Sequence, residues 1–446
     1  MLFEILSTVS MLGIAGTAFY KQSKGATNDH EKIKTIADEV GLKTKNESIR
    51  IYRKSRKDNY TEYVYKIPLG LSFKEFEDKK QSFVDGLNNK SKTTINLADL
   101  KTIDWKGDIK KQLNDIFNNK VKLDKHIEME YDGMLKIRVY ENGLERFYPY
   151  TDEMLSKVKG WKVPIGYTYK DFITHDFEKL QMLVVAGMTR YGKTVFLKNI
   201  ITTLICNQPD NVKFTLIDLK GGLAFSRFSN CKQVLTVAKN EIETLLALEN
   251  IHSNLLDRQQ EFLSKGYEDI TEAKYKERHF VIVDEGAEMA LFEDKDIRDR
   301  CNYLIGEIAR IGAGLGHRVV FATQYPTADV FPRQVKANTS AALCFKLKNA
   351  TQSMVVLDSG GAEELPVELW GRAIYQTDRD RIVQTPFIEN TYINEKIKVY
   401  VRKKEESHVN RNPKEIGERG KDIVIIEDAR LPFKETASKV ARLKER

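Results

Sequence analysis

Two stretches of this chain hold residue types at spacings that do chemistry. Gly187 to Thr194 reads GMTRYGKT, and Asp284-Glu285 closes the apolar run Phe280-Val281-Ile282-Val283. In G-x-x-x-x-G-K-T the two glycines let the backbone curl, so that its N–H groups point inward at a polyphosphate. The lysine reaches the β- and γ-phosphates and the threonine hydroxyl ligates Mg²⁺. Gly187, Met188, Thr189, Arg190, Tyr191, Gly192, Lys193 and Thr194 are therefore the expected cradle of a nucleoside triphosphate, ATP or GTP. The acids supply what the loop lacks. Asp284 is expected in the Mg²⁺ shell. Glu285 is expected to orient or deprotonate the attacking water. Gln324, in Ala322-Thr323-Gln324, ends another apolar run and is set to sense the γ-phosphate or position that water.

The elements around these residues agree with that chemistry. Met182 to Ala186 reads as a buried strand, and Val195, Phe196, Leu197, Ile200 and Ile201 follow the loop at helical spacing. Strand, glycine loop and helix are the context a phosphate loop requires. Further strands are expected at Lys213 to Asp218, Phe280 to Glu285 and Arg318 to Ala322, with a long helix over Lys239 to Lys265. Strands alternating with helices predict an α/β fold, a doubly wound parallel sheet with nucleotide at the strands' carboxyl ends.

The 446 residues allow about three domains. Apolar (41%) and charged (30%) fractions fit a soluble globular protein, and the net charge of +8 suits a polyanionic partner. Cys206, Cys231, Cys301 and Cys344 are scattered, with no C-x-x-C pair and no histidine at ligand spacing. They read as buried thiols of a reducing compartment. Residues 1–22 are almost free of charge, with only Glu4 and Lys21 interrupting, and Lys24 follows. That segment is read as an N-terminal transmembrane helix, a single-pass anchor in the cell membrane. The lysines place the rest of the chain in the cytoplasm.

Residues 23–47 read as a linker with room for one short helix, and 48–150 as a small α/β domain for assembly or docking. Strands are expected at Ser48 to Tyr52, Thr61 to Ile67, His126 to Tyr131 and Leu135 to Tyr140, the last two joined by a turn at Asp132-Gly133. A helix is expected over Ser72 to Leu87. The basic stretch Lys43 to Lys57 suits DNA, anionic lipid or a solvated strand face equally. Residues 151–390 are expected to carry the nucleotide chemistry, and 391–446 to be a short basic tail with a strand-like piece at Ile397 to Val401.

The runs KLQMLVVAGMTRYGKTVFLKNI, TLIDLKGG, FVIVDEGAEM, IARIGAGLGHRVVFATQYPTADVFPRQVKAN and VVLDSGGAEELP, in that order, resemble the FtsK/SpoIIIE family of DNA-translocating ATPases over roughly residues 160 to 390. The resemblance implies a RecA-like motor, ATP with Mg²⁺, hydrolysis coupled to DNA movement, a ring that is usually hexameric, and a membrane-anchored N-terminus. It marks Lys193, Thr194, Asp284 and Glu285 as the Walker residues and Gln324 as the sensor. Arg333 and Lys336 become candidates to face DNA.

This chain departs from the family pattern in three places. Arg190-Tyr191 replaces Gly-Ser in the loop. Ala313, within Gly-Ala-Gly-Leu-Gly-His, stands where the family pattern R-A-A-G-I-H carries an arginine, so Arg310 is the expected trans-acting finger, with Arg318 and Arg372 as rivals. Tyr325 replaces the arginine after Ala-Thr-Gln. No winged-helix reader is visible after the motor. The layout resembles coupling proteins of Gram-positive conjugative elements, which implies a relaxase or mating-channel partner. A chromosome or plasmid partitioning pump is the alternative within the class, and a protein-secretion ATPase the alternative outside it.

Overall fold

The computed structural model describes residues 29–402, apart from 58, 89–92, 95–120, 123–124, 141–142 and 329–330. The expected anchor and most of the basic tail lie outside the described residues. Among the described residues no helix is long and apolar enough to cross a membrane.

The small domain holds helix α1 (Asp29–Glu39), strands β1 (Arg50–Arg56) and β2 (Tyr60–Lys66), helices α2 (Phe73–Asp78) and α3 (Lys80–Asn88), a ribbon of β3 (Thr93–Thr94) and β4 (Val121–Lys122), then β5 (His126–Tyr131) and β6 (Leu135–Tyr140). Four strands form an antiparallel sheet in the order β1-β2-β6-β5. The expected helix over Ser72 to Leu87 breaks in two at Lys79, which leaves helical geometry. Its start is well defined: the Ser72 N–H and hydroxyl both donate to Glu75 Oε2, at 2.6 and 2.9 Å. The domain also begins earlier than the sequence indicates. Ile33 and Ala37 of α1, and Leu42 after it, pack with Tyr63, Tyr65, Phe76 and Phe83 in one core, so much of the expected linker is part of the domain. Polar residues dominate the solvent face of α1, which hides its one apolar stripe from composition alone.

The motor adds α4 (Asp152–Lys157), β7 (Lys162–Tyr167), β8 (Phe172–Asp176), β9 (Met182–Ala186), α5 (Lys193–Asn207), β10 (Val212–Asp218), β11 (Val234–Ala238), α6 (Glu241–Lys265), β12 (Arg278–Asp284), α7 (Lys295–Ile311), β13 (His317–Thr323), α8 (Arg333–Ala337), β14 (Ala341–Phe345), α9 (Ala350–Leu357), β15 (Arg372–Gln376), β16 (Asp380–Gln384) and α10 (Asn390–Ile397). They build one sheet in the order β11-β10-β12-β13-β9-β14-β15-β16-β7-β8. The six strands from β11 to β14 are parallel. The four beyond them pair antiparallel, so the expected parallel sheet is only the central part of a mixed one.

Both faces of the parallel part are covered. Leu183 and Val185 of β9 pack with Phe196, Leu197 and Ile200 of α5 on one face. Met182, Val184 and Ala186 pack with Leu248, Leu304 and Ile305 of α6 and α7 on the other. This explains why the strand is an unbroken apolar run without alternation. Each such side chain contributes roughly 1.5–3 kcal/mol on leaving water. The piece at Ile397 to Val401 is not a strand. Ile393 and Ile397 lie four apart on α10 and are buried in the first of these clusters, and a short 3-10 turn Lys398–Tyr400 follows. The helical period begins at Asn390, upstream of the window in which alternation suggests a strand.

Candidate active site

The order β12-β13-β9 brings the carboxyl ends of three parallel strands side by side. The phosphate loop leaves β9, the acids leave β12 and Gln324 leaves β13, so residues far apart in the chain meet at one sheet edge. The loop is tightly seated. A Cβ on Gly187 would lie 2.6 Å from that of Phe345, and one on Gly192 would lie 3.0 Å from the Phe345 ring, so this phenylalanine of β14 admits only glycine at Gly187. The Gly187 N–H donates to Thr323 O (3.2 Å) and the Met188 N–H to Lys346 O (2.9 Å). Arg190 holds φ at 75°, the left-handed conformation in which the family pattern places glycine. The loop's shape therefore survives that replacement. First-turn N–H groups of α5 have no acceptor within the helix, and with its dipole they favour an anion.

Lys193 is buried, and its Nζ donates to Asp284 Oδ1 (2.6 Å) and to Glu285 Oε2 (3.0 Å). The Thr194 hydroxyl lies 3.3 Å from Asp284 Oδ2. Hydroxyl and carboxylate oxygens are the donors Mg²⁺ takes alongside water and phosphate. Thr194 and Asp284 are thus the residues that fit the ion.

Glu285 has no solvent exposure. Its Oε1 accepts from the Gln324 N–H (2.8 Å) and the Thr323 hydroxyl (3.3 Å), and Lys220 Nζ stands 3.2 Å from Oε2. Burial pushes its pKa up, but the charge of Lys193, the Gln324 N–H and the charge of Lys220 outweigh burial and hold it below the usual carboxylate range. Glu285 is consequently an ionised acceptor fixed on both oxygens. Its backbone is left-handed, φ 65° and ψ 53°. Gly286 behind it allows no Cβ, which would meet the Phe321 ring at 2.2 Å. A strained acid on a tight turn is a feature of sites where position matters more than stability.

The loop opens into a cleft of about 600 Å³ that Lys193, Thr194 and Gln324 line with Trp370 and Phe387. The side chain of Gln324 accepts from the Thr189 hydroxyl (2.7 Å), so the expected sensor lies over the phosphate loop. Lys220 escaped the sequence reading, although Leu219-Lys220-Gly221-Gly222 directly follows a parallel strand, where ligands gather. Phe147, Trp370 and Phe387 carried no local signal at all.

The remaining candidates separate. Arg310 lies in the last turn of α7, which leads through Gly312 to Gly316 into the amino end of β13. That is the opposite end of the strands from the loop, so within one subunit Arg310 does not approach the site. It pairs with Glu307 at 2.7 Å and is exposed. Ala313 belongs to the same turn. Arg318 is buried against Glu178, and Arg372 is buried against Gln384 and the Leu144 carbonyl, so both guanidiniums are engaged within the chain. Arg333 is exposed beside a second cavity of about 510 Å³ that Tyr303 and Phe331 also line. Lys336, by contrast, donates to Val356 O (2.7 Å) and pairs with Asp358 (2.9 Å), closing the end of α9. Lys336 thus has an intramolecular task, which sets it apart from Arg333.

Residues 161–280 match the model of the FtsK/SpoIIIE family. A Streptococcus pneumoniae protein named DNA translocase FtsK is 30% identical over 240 residues, which is 47% of this chain and 31% of that protein. The chain thus spans about a third of the length of the curated relatives it matches. Among solved structures, the monomer form of the pCW3 conjugation coupling protein TcpA with ATPγS aligns at a TM-score of 0.54 and 17% identity, over 83% of this chain and 99% of that one. That likeness is one of fold. The cytoplasmic domain of the type VII secretion ATPase EccC from Thermomonospora curvata aligns at 0.48 and 18% identity, over 58% of this chain and 33% of that one.

Proposed function

We propose that this chain is a membrane-anchored, ATP-driven DNA translocase that acts as the coupling protein of a conjugative element, working as a ring, hexameric by family resemblance. The observation that carries the reading is the buried contact of Lys193 with both Asp284 and Glu285, under Gln324. It assembles a phosphate-binding cation, a Mg²⁺-shell acid and a water-activating acid in one place. The relative named a DNA translocase supports the DNA substrate. The coupling protein, aligned along almost its full length, supports conjugation. The apolar segment 1–22 supports a single-pass anchor with a cytoplasmic motor.

Mg²⁺, when bound, neutralises charge on the β- and γ-phosphates. Lys193 would exchange its carboxylate partners for phosphate oxygens, and Asp284 and Thr194 are the residues that would then hold Mg²⁺. Glu285 keeps Gln324, Thr323 and Lys220, and it accepts a hydrogen bond from water. The water oxygen bonds to the γ-phosphorus as the bridging P–O bond breaks, yielding ADP and phosphate, and the proton passes toward Glu285. Arg333 meets DNA phosphates, which makes binding independent of sequence and sensitive to salt. Relaxase or channel proteins dock through the small domain.

The test is ATP hydrolysis by the full-length chain in detergent with single-stranded DNA, duplex DNA or none. Stimulation by DNA is the expected result, and single strands should be the better activator for a conjugative pump. Absence of stimulation by either form would move the reading to protein transport.

A further inference from the structure

Beyond the phosphate loop the same cleft has an aromatic wall. The rings of Phe147 and Phe387 lie 5.7 Å apart at 44°. They are 56% and 43% exposed, and Trp370, on the same cleft, is 72% exposed. Single exposed aromatics are ordinary, but three gathered on one concave surface mark a binding site.

The backbone beneath these rings is rigid and tied to the loop. The buried Arg372 guanidinium donates to Leu144 O (2.9 Å), Glu145 O (3.2 Å) and Gln384 Oε1 (2.8 Å). Gln384 Nε2 in turn donates to Trp370 O (2.6 Å). The Phe387 N–H donates to Tyr148 O, and the Tyr150 N–H to Phe387 O, both at 2.8 Å. The Gly371 N–H donates to Tyr191 O of the phosphate loop at 3.0 Å. Three segments, 144–150, 369–372 and 384–387, are therefore held in register with Gly187 to Thr194. The side chains of Gln384 and Thr385 are engaged in this frame, Thr385 with Gly371 O at 3.1 Å. Beyond this frame the cleft is lined by the three rings together with Arg146, Glu368 and Pro386.

Resting on the nucleotide reading of the loop, we propose that this notch is the nucleobase site. The triphosphate lies on Gly187 to Thr194 and the base stacks on Phe147 and Phe387, with Trp370 as a further wall. Stacking engages a π-face that every base possesses. Because Phe147 lies in the connector between β6 and the motor, the bound base touches the junction with the small domain as well as the motor itself.

Binding of ATPγS and of inorganic tripolyphosphate to the full-length protein tests the assignment. In the double variant Phe147→Ala/Phe387→Ala the Kd for ATPγS should rise about tenfold or more while tripolyphosphate binds as before. Phe147→Leu/Phe387→Leu, which keeps apolar bulk, should lose ATPγS affinity in the same sense. Lys193→Ala should weaken both ligands. An ATPγS affinity that survives the aromatic changes, or a parallel loss of both ligands, overturns the base site. Failure of the unaltered protein to bind either ligand overturns the nucleotide reading along with it, which keeps the two failures apart.

Discussion

The parallel strands carry buried charges at both of their ends, and the two clusters are built differently. At the carboxyl ends, the Lys193 ammonium bonds, among the described residues, to the carboxylates of Asp284 and Glu285 and to no backbone group. At the amino ends, Glu178 joins Arg278 at 2.8 Å and Arg318 at 2.9 Å. There each arginine also donates to backbone carbonyls, Arg278 to Tyr275 and Glu277, Arg318 to Ala313 and His317. A charge pinned by carbonyls has nowhere else to go. A charge held only by side chains can change partner when a phosphate arrives. The amino-end cluster thus serves stability and the carboxyl-end cluster serves chemistry, although both pair buried cations with carboxylates.

This contrast predicts that removing one acid at each end has opposite signatures. Glu285→Gln should reduce turnover by about 10²–10⁴-fold while ATPγS still binds. Steady-state hydrolysis alongside equilibrium binding separates the two, and normal turnover would remove Glu285 from water activation. Glu178→Gln leaves two buried guanidiniums short of their counter-charge. Since Glu178 is about a third exposed, the loss in stability should be roughly 2 kcal/mol, below the range for a fully buried pair. Denaturant melts should show that loss with little change in the ATP KM; an altered KM with unchanged stability would reverse the assignment.

Acid should act through the stabilising half of the sheet. Burial depresses the pKa of His175, and burial with the charges of Arg258 and Lys213 depresses that of His279, each to about 4. An unfolded chain takes those protons near 6.5, so it binds more protons than the folded chain between the two values. Stability should therefore be full above pH 6.5 and fall as pH drops toward 4, by on the order of 1–2 kcal/mol per histidine at pH 5. His279→Gln should flatten that slope, a result that melts at stepped pH will show or deny.

The smallest expected effect distinguishes the two bases of α8. Arg333→Ala should weaken DNA-stimulated hydrolysis and reduce the salt slope of DNA binding by about one unit. Lys336→Ala should cost about 1 kcal/mol of stability at the end of α9 and leave DNA stimulation intact. Loss of stimulation from Lys336→Ala alone would restore it as a DNA contact.

Much of the motor was legible because its signals are local. Met182–Ala186 is a contiguous buried strand, and the loop and α5 follow it within a few residues. The cap at Ser72 and the turn at Gly133, with φ 89°, are likewise written in neighbouring residues. The short helix α1 was legible as a helix, but its packing into the domain core was not; the period of α10 hid among polar residues, and nothing in Phe172–Asp176 says that β8 runs antiparallel to β7.

By itself, then, the sequence determined that a phosphate loop is followed by two acids and a glutamine on successive strand ends. It did so because glycine, lysine and carboxylate at those spacings have few other uses. Only the tertiary structure decided that Glu285 is gripped by Lys193, Lys220 and Gln324, that Lys336 serves α9, and that Phe147 meets Phe387. Those contacts join residues on different segments, and their meeting follows from the strand order β12-β13-β9-β14, which no local periodicity encodes.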